Sequence, residues 1–106
     1  MKYLLLVCID PSLEPDVRPG EMDRWLERAG EARLLGSELG SPSDGWTVRL
    51  RGGKPFVTDG PFAETKEFVG GFDILECDSR EEALEIASAH PVARFGAIEV
   101  REFGSD

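Results

Sequence analysis

Thr58-Asp59-Gly60-Pro61-Phe62-Ala63-Glu64-Thr65-Lys66-Glu67 gathers ionisable side chains just behind a turn. Gly60 can take a positive φ, Pro61 fixes the exit of the chain, and the Asp59 carboxylate can accept from backbone N–H groups ahead of it. Carboxylates and an amine transfer protons when burial tunes them. Asp59 is therefore the candidate acid or base, with Glu64, Lys66 and Glu67 as binding or orienting groups. A stiff turn with a capping Asp uses the same residues, and the residue types do not separate the two readings. Arg49, Glu76, Glu99 and Arg101 form a second set, spaced to share one face of a sheet. They are candidate substrate contacts, and cross-strand ion pairs are the simpler explanation of the pattern.

Other chemistries find no support. His90 is the single histidine, at the end of a helix beside Pro91. It reads as an imidazolium that suits the helix dipole. Cys8 and Cys77 each fall inside a strand and make neither a zinc site nor a disulfide framework; both are expected to be buried thiols. Gly52-Gly53 and Gly70-Gly71 read as turn glycines, and no phosphate loop or dinucleotide fingerprint is present. No metal and no cofactor are expected.

These side chains need elements to hold them. Lys2 to Ile9 reads as strand one, with Tyr3, Leu5, Val7 and Ile9 on one face and Leu4, Leu6 and Cys8 on the other. A loop with Pro11, Pro15 and Pro19 leads to a helix over Glu21 to Leu35. Its apolar face is Met22, Trp25, Leu26, Ala29 and Ala32, and Gly36 sits where a cap would. Trp46 to Arg51 alternates and reads as strand two, with Pro55 to Thr58 turned back on it by Gly52-Gly53. Gly71 to Cys77 is strand three. Ser79 and Glu82 form a capping box opening a helix from Arg80 to about Ala89. Ala97 to Phe103 is the last strand, and 104–106 are a polar tail.

Strand, helix, hairpin, strand, helix, strand is the order of a single α+β domain over 1–103, ferredoxin-like βαββαβ, with strand order 4-1-3-2. Its sheet is antiparallel and both helices lie on one face. The other face is apolar and bare, so a second copy is expected to cover it and enclose a cleft. The 106 residues are 41% hydrophobic and 31% charged, as in a globular protein. With 12 basic and 21 acidic residues the net charge is -9. Such a surface repels nucleic acid and anionic lipid. Tyr3 to Ile9 is too short for a secretory leader, no apolar run reaches membrane-span length, and a cytoplasmic location is expected.

The run Val57-Thr58-Asp59-Gly60-Pro61-Phe62-Ala63-Glu64-Thr65-Lys66-Glu67, with Met1 to Leu5, Gly70-Gly71-Phe72 and Ala97 to Arg101, resembles the YCII-related proteins of the DGPF type. The likeness spans nearly the whole chain. It implies a homodimeric α+β barrel, a bacterial cytosolic protein, and a family mostly without assigned activity. It also implies a possible regulatory link to extracytoplasmic-function sigma factors. Other YCII members carry a His–Asp pair with the His in the first helix; this sequence has no His there. Two functions follow as expectations: binding or turnover of a small molecule in a cleft of the homodimer, or a protein–protein module acting on a sigma factor. Enzymatic activity is left open.

Overall fold

The computed structural model describes residues 1–61 and 66–105. Strand β1 (Lys2–Ile9) lies inside a four-stranded sheet. It pairs antiparallel with β5 (Phe68–Glu76) on one side and β6 (Ala97–Glu102) on the other. Strand β2 (Arg33–Glu38) adds to the outer edge of β5, giving the order β2-β5-β1-β6. Period-two alternation sends Tyr3, Leu5 and Val7 to one face, where they are buried, and leaves Leu4, Leu6 and Cys8 half-buried on the other. Helices α1 (Glu21–Ala29) and α2 (Arg80–Ser88) supply Trp25, Ala29, Ala83, Ile86 and Ala87 to a core shared with Tyr3, Leu5 and Leu75. Ile98 and Val100 of β6 pack against the same core, as their spacing predicts. No helix among the described residues is long and apolar enough to cross a membrane.

The α2 cap forms as expected. Ser79 Oγ accepts from the Glu82 N–H at 3.1 Å, and Glu82 Oε2 accepts from the Asp78 N–H at 3.0 Å. The first helix is shorter than its apolar periodicity suggests. It stops at Gly30, whose φ of 54° leaves the helical region, and a short 3-10 turn over Gly30–Ala32 follows. Residues 33–38, expected as the helix end to Leu35, its Gly36 cap and the start of a turn, are instead the edge strand β2.

That strand takes the place expected for Trp46 to Arg51. Strands β3 (Trp46–Arg51) and β4 (Lys54–Asp59) form a hairpin that is a sheet of its own. Gly52 and Gly53, both at positive φ, make its turn. The Gly60 N–H donates to Gly45 O and Thr47 Oγ1 donates to Gly60 O, both at 2.8 Å, closing the open end. Gly70 and Gly71, expected at a turn as well, lie instead within β5. Gly70 is the extra residue of a bulge opposite Val7 and Cys8, and a Cβ on it would lie 2.8 Å from the Ile9 side chain. Cys77 is buried, whereas Cys8 is only half-buried because it points to the open face.

Candidate functional site

The nine-residue α1 is too short to roof the whole sheet. Where it falls short, a cavity of about 460 Å³ opens between α1, β2, the end of β1, the start of β5 and the turn after α2. Met22 and Leu26 of α1 reach this space instead of the closed core, which leaves them 36% and 37% exposed. Val7, Val92 and Leu39 add to an otherwise apolar lining. Five polar residues line it as well: the buried His90 and Asp73, the half-buried Arg33, and the exposed Ser37 and Glu38.

His90 follows α2 and is 2% exposed. Pro91 opens a 3-10 turn over Pro91–Arg94, and His90 caps it: Nδ1 accepts from the Val92 N–H at 3.0 Å. The neutral ring must then carry its proton on Nε2. Trp25 packs edge-on to the imidazole with centroids 4.6 Å apart, and its own Nε1 donates to Ile86 O at 2.9 Å. His90 Nε2 is buried with no hydrogen-bond partner among the described residues. Burial pushes the imidazole pKa below its ordinary value, against a smaller upward pull from the Asp73 charge. The expected helix-end imidazolium is thus a buried neutral ring serving the following turn.

Asp73 is 6% exposed, in register with Leu75 and Cys77 on the helix-facing side of β5. Arg33 Nε donates to its Oδ1 at 2.7 Å. An irregularity in β2 between Arg33 and Leu35 breaks the simple register, and Gly36 lies directly opposite Asp73. A side chain at Gly36 would collide with both partners of the ion pair and come within 2.8 Å of Phe72 O. Glycine there makes room for the pair. Next to the cavity, Arg94 binds the Glu21 carboxylate through both Nη atoms and donates to Asp16 O. This clamp ties the loop before α1, which carries Val17 into the cavity wall, to the turn that carries His90. The Arg94 hydrogen bond, helped by the Arg18 N–H, lowers the Glu21 pKa to about 2.

The model of the YCII-related domain matches residues 1–103. The chain belongs to the YCII-related family. A curated relative, an uncharacterised protein of Rhizobium meliloti (strain 1021), is 46% identical over 59 residues, covering 52% of this chain and 46% of the relative. The chain thus spans about half the length of that relative. Among solved structures, a 5-chloro-2-hydroxyhydroquinone dehydrochlorinase of Burkholderia phenoliruptrix AC1100, in complex with 2,5-dihydroxybenzoquinone, aligns with 100% of this chain and 96% of its own. The identity is 16% and the TM-score 0.48, too distant to argue for this chain's chemistry.

In this YCII-related domain the residues expected to act are spread out. Glu76 lies opposite Lys2, Arg101 opposite Leu4 and Glu99 opposite Leu6, so these three do share the open face of the sheet. Arg101 Nε lies 3.8 Å from Glu99 Oε2 within the same strand. Arg49 and Asp59 are on the separate hairpin, with Asp59 exposed opposite Trp46. Lys66 is exposed at a bend before β5, and Glu64 lies outside the described residues. None of Arg49, Asp59, Lys66, Glu76 and Arg101 lines the cavity. Of the residues that do, Asp73 and Arg33 were not singled out from the sequence, and His90 was read as a helix-end residue. Asp73 had a readable signal: it is the one acidic residue at an inward position of an apolar strand, and such a residue needs a partner.

Proposed function

We propose that this YCII-related protein binds a small organic molecule in the 460 Å³ cavity, and that His90 is the group that engages it. The observation carrying this reading is the buried, unpartnered Nε2 of His90, a residue of the cavity lining, on a ring whose other nitrogen is already used. Leaving such a donor unpaired costs about 1–3 kcal/mol, and a ligand acceptor would recover it. The apolar lining supplies burial, and a few convergent polar groups supply orientation, as small-molecule sites require. A fragment screen followed by NMR tests this. Hits should shift the His90 ring signals in the wild type and bind more weakly in Met22→Trp, which narrows the cavity from α1. Hits that bind Met22→Trp unchanged place the site elsewhere.

The working unit in this reading is a homodimer of the DGPF type. Support comes from unfilled apolar surface. Leu4, Leu6, Phe72 and Ile74 are only half-buried on the open face, and the adjoining Leu35 of β2 is 57% exposed. Burying such a face is favourable by about 25 cal/mol per Å² before association costs. Sedimentation at micromolar concentration is expected to give twice the chain mass. A stable monomer under those conditions removes the dimer from the proposal and leaves the cavity, which lies within one chain.

A further inference from the structure

The cavity's charge balance and the His90 tautomer bear on what it can hold. We infer that its ligand is an uncharged, mainly apolar molecule that presents a hydrogen-bond acceptor, of the aryl-ketone kind, to His90 Nε2–H. The inference rests on the cavity being the binding site. Nδ1 is committed to the Val92 N–H at 3.0 Å and Nε2 is buried without a partner, so a ligand that reaches the ring from the cavity meets a donor and no acceptor. An ammonium ligand brings only donors and leaves Nε2–H unpaired. A carboxylate or phosphate brings acceptors but meets the wrong field. Arg33 is the one cation lining the cavity among the described residues, and its Nε is held by Asp73 at 2.7 Å. Glu38 adds a second carboxylate to the lining. The site is therefore net negative in a chain of net charge -9, and an anion would enter it without a counter-charge. A carbonyl oxygen meets the donor at no such cost, while its ring or chain lies against Val7, Met22, Leu26 and Val92.

Trp25 provides the readout, because its indole stacks edge-on against the His90 ring. A Trp46→Phe background makes Trp25 the sole indole, since the chain has two tryptophans. Four probes of similar size are titrated by Trp25 fluorescence: acetophenone, ethylbenzene, benzoate and benzylamine. Acetophenone is expected to bind about tenfold more tightly than any of the other three, the worth of one buried hydrogen bond. Two further variants isolate Nε2. His90→Asn places its Oδ1 near the position of Nδ1, keeps an acceptor for the Val92 N–H, and lacks the distal donor. It should erase the preference for ketone over hydrocarbon. His90→Gln carries an N–H donor further out and should retain part of that preference. Benzoate or benzylamine binding as tightly as acetophenone overturns the inference, as does a ketone preference that survives in His90→Asn. If no probe binds, or if probe-induced shifts of the His90 ring in NMR are unchanged in Met22→Trp, the cavity reading itself fails and takes the ligand class with it.

Discussion

His90 keeps its ring neutral because the cost of burying an imidazolium outweighs the pull of the Asp73 carboxylate. The sign of the resulting pH dependence is fixed. As pH falls below the ordinary value of 6.5, the unfolded chain takes up the proton first. This stabilisation is therefore complete above 6.5 and is lost as pH falls towards the depressed folded-state value. Because the chain has one histidine, its ring signals in an NMR titration are unambiguous. They should titrate below 6.5, and His90→Asn should flatten the stability profile between that midpoint and 6.5. A ring titrating above 6.5 contradicts the neutral donor. The sequence hid this role for a physical reason. A His beside Pro at a helix end suits a helix dipole equally well, and only tertiary packing decides that Trp25 lies edge-on against it. Asp73 was legible as a buried carboxylate, but its partner was not, because Arg33 sat in what read as helix.

Helix and strand compete for residues 30–38, and the competition was settled by contacts far away in sequence. Ala32, Leu34 and Leu35 are good helix formers and extend the periodicity of α1. Gly30 interrupts it, and the free edge of β5 offers antiparallel partners for the backbone groups that follow. Strands β1, β5 and β6, whose faces alternate cleanly, matched their expected spans to within a few residues, and so did α2 with its capping box. The elements bordering the cavity are joined by Glu21 and Arg94, which link the first turn of α1 to the turn after α2. With its pKa at about 2, against an ordinary 4.5, Glu21 adds stability that is complete above pH 4.5. That contribution is lost as the pH falls from 4.5 towards 2. Acid unfolding of Glu21→Gln should be less steep than wild type in this window, and its stability at pH 7 lower. Parallel acid-unfolding curves for the two proteins would show that the clamp is too loose to matter.

At the scale of the molecule the chain is a flat body, 47 × 36 × 18 Å across its principal axes. Two layers account for its thickness, and the hairpin for much of its exposed apolar surface: Trp46, Val48, Leu50 and Val57 are 62–72% exposed. Trp46 is neither in the core nor in the cavity wall within one chain. The chain leaves β2 at Leu39, whose N–H donates at 3.0 Å to Gly70 O on the returning strand. Departure and return thus meet at one hydrogen bond, and the described residues between Leu39 and β5, hairpin included, share no ladder with the main sheet. Topologically, β2 and β5 are an ordinary antiparallel pair with a long excursion spliced into their connection. Loop-closure entropy changes slowly with loop length, so shortening the excursion costs the sheet little. Replacing residues 40–67 with a short Asn-Gly turn should leave a cooperatively melting protein that keeps its His90 environment, checked by circular dichroism and the single-histidine NMR signal. Loss of cooperative melting would mean that the hairpin helps to fold the body. If the trimmed protein holds, the segment becomes a graft point, where a foreign loop or a fluorescent reporter could be inserted without passing through the core.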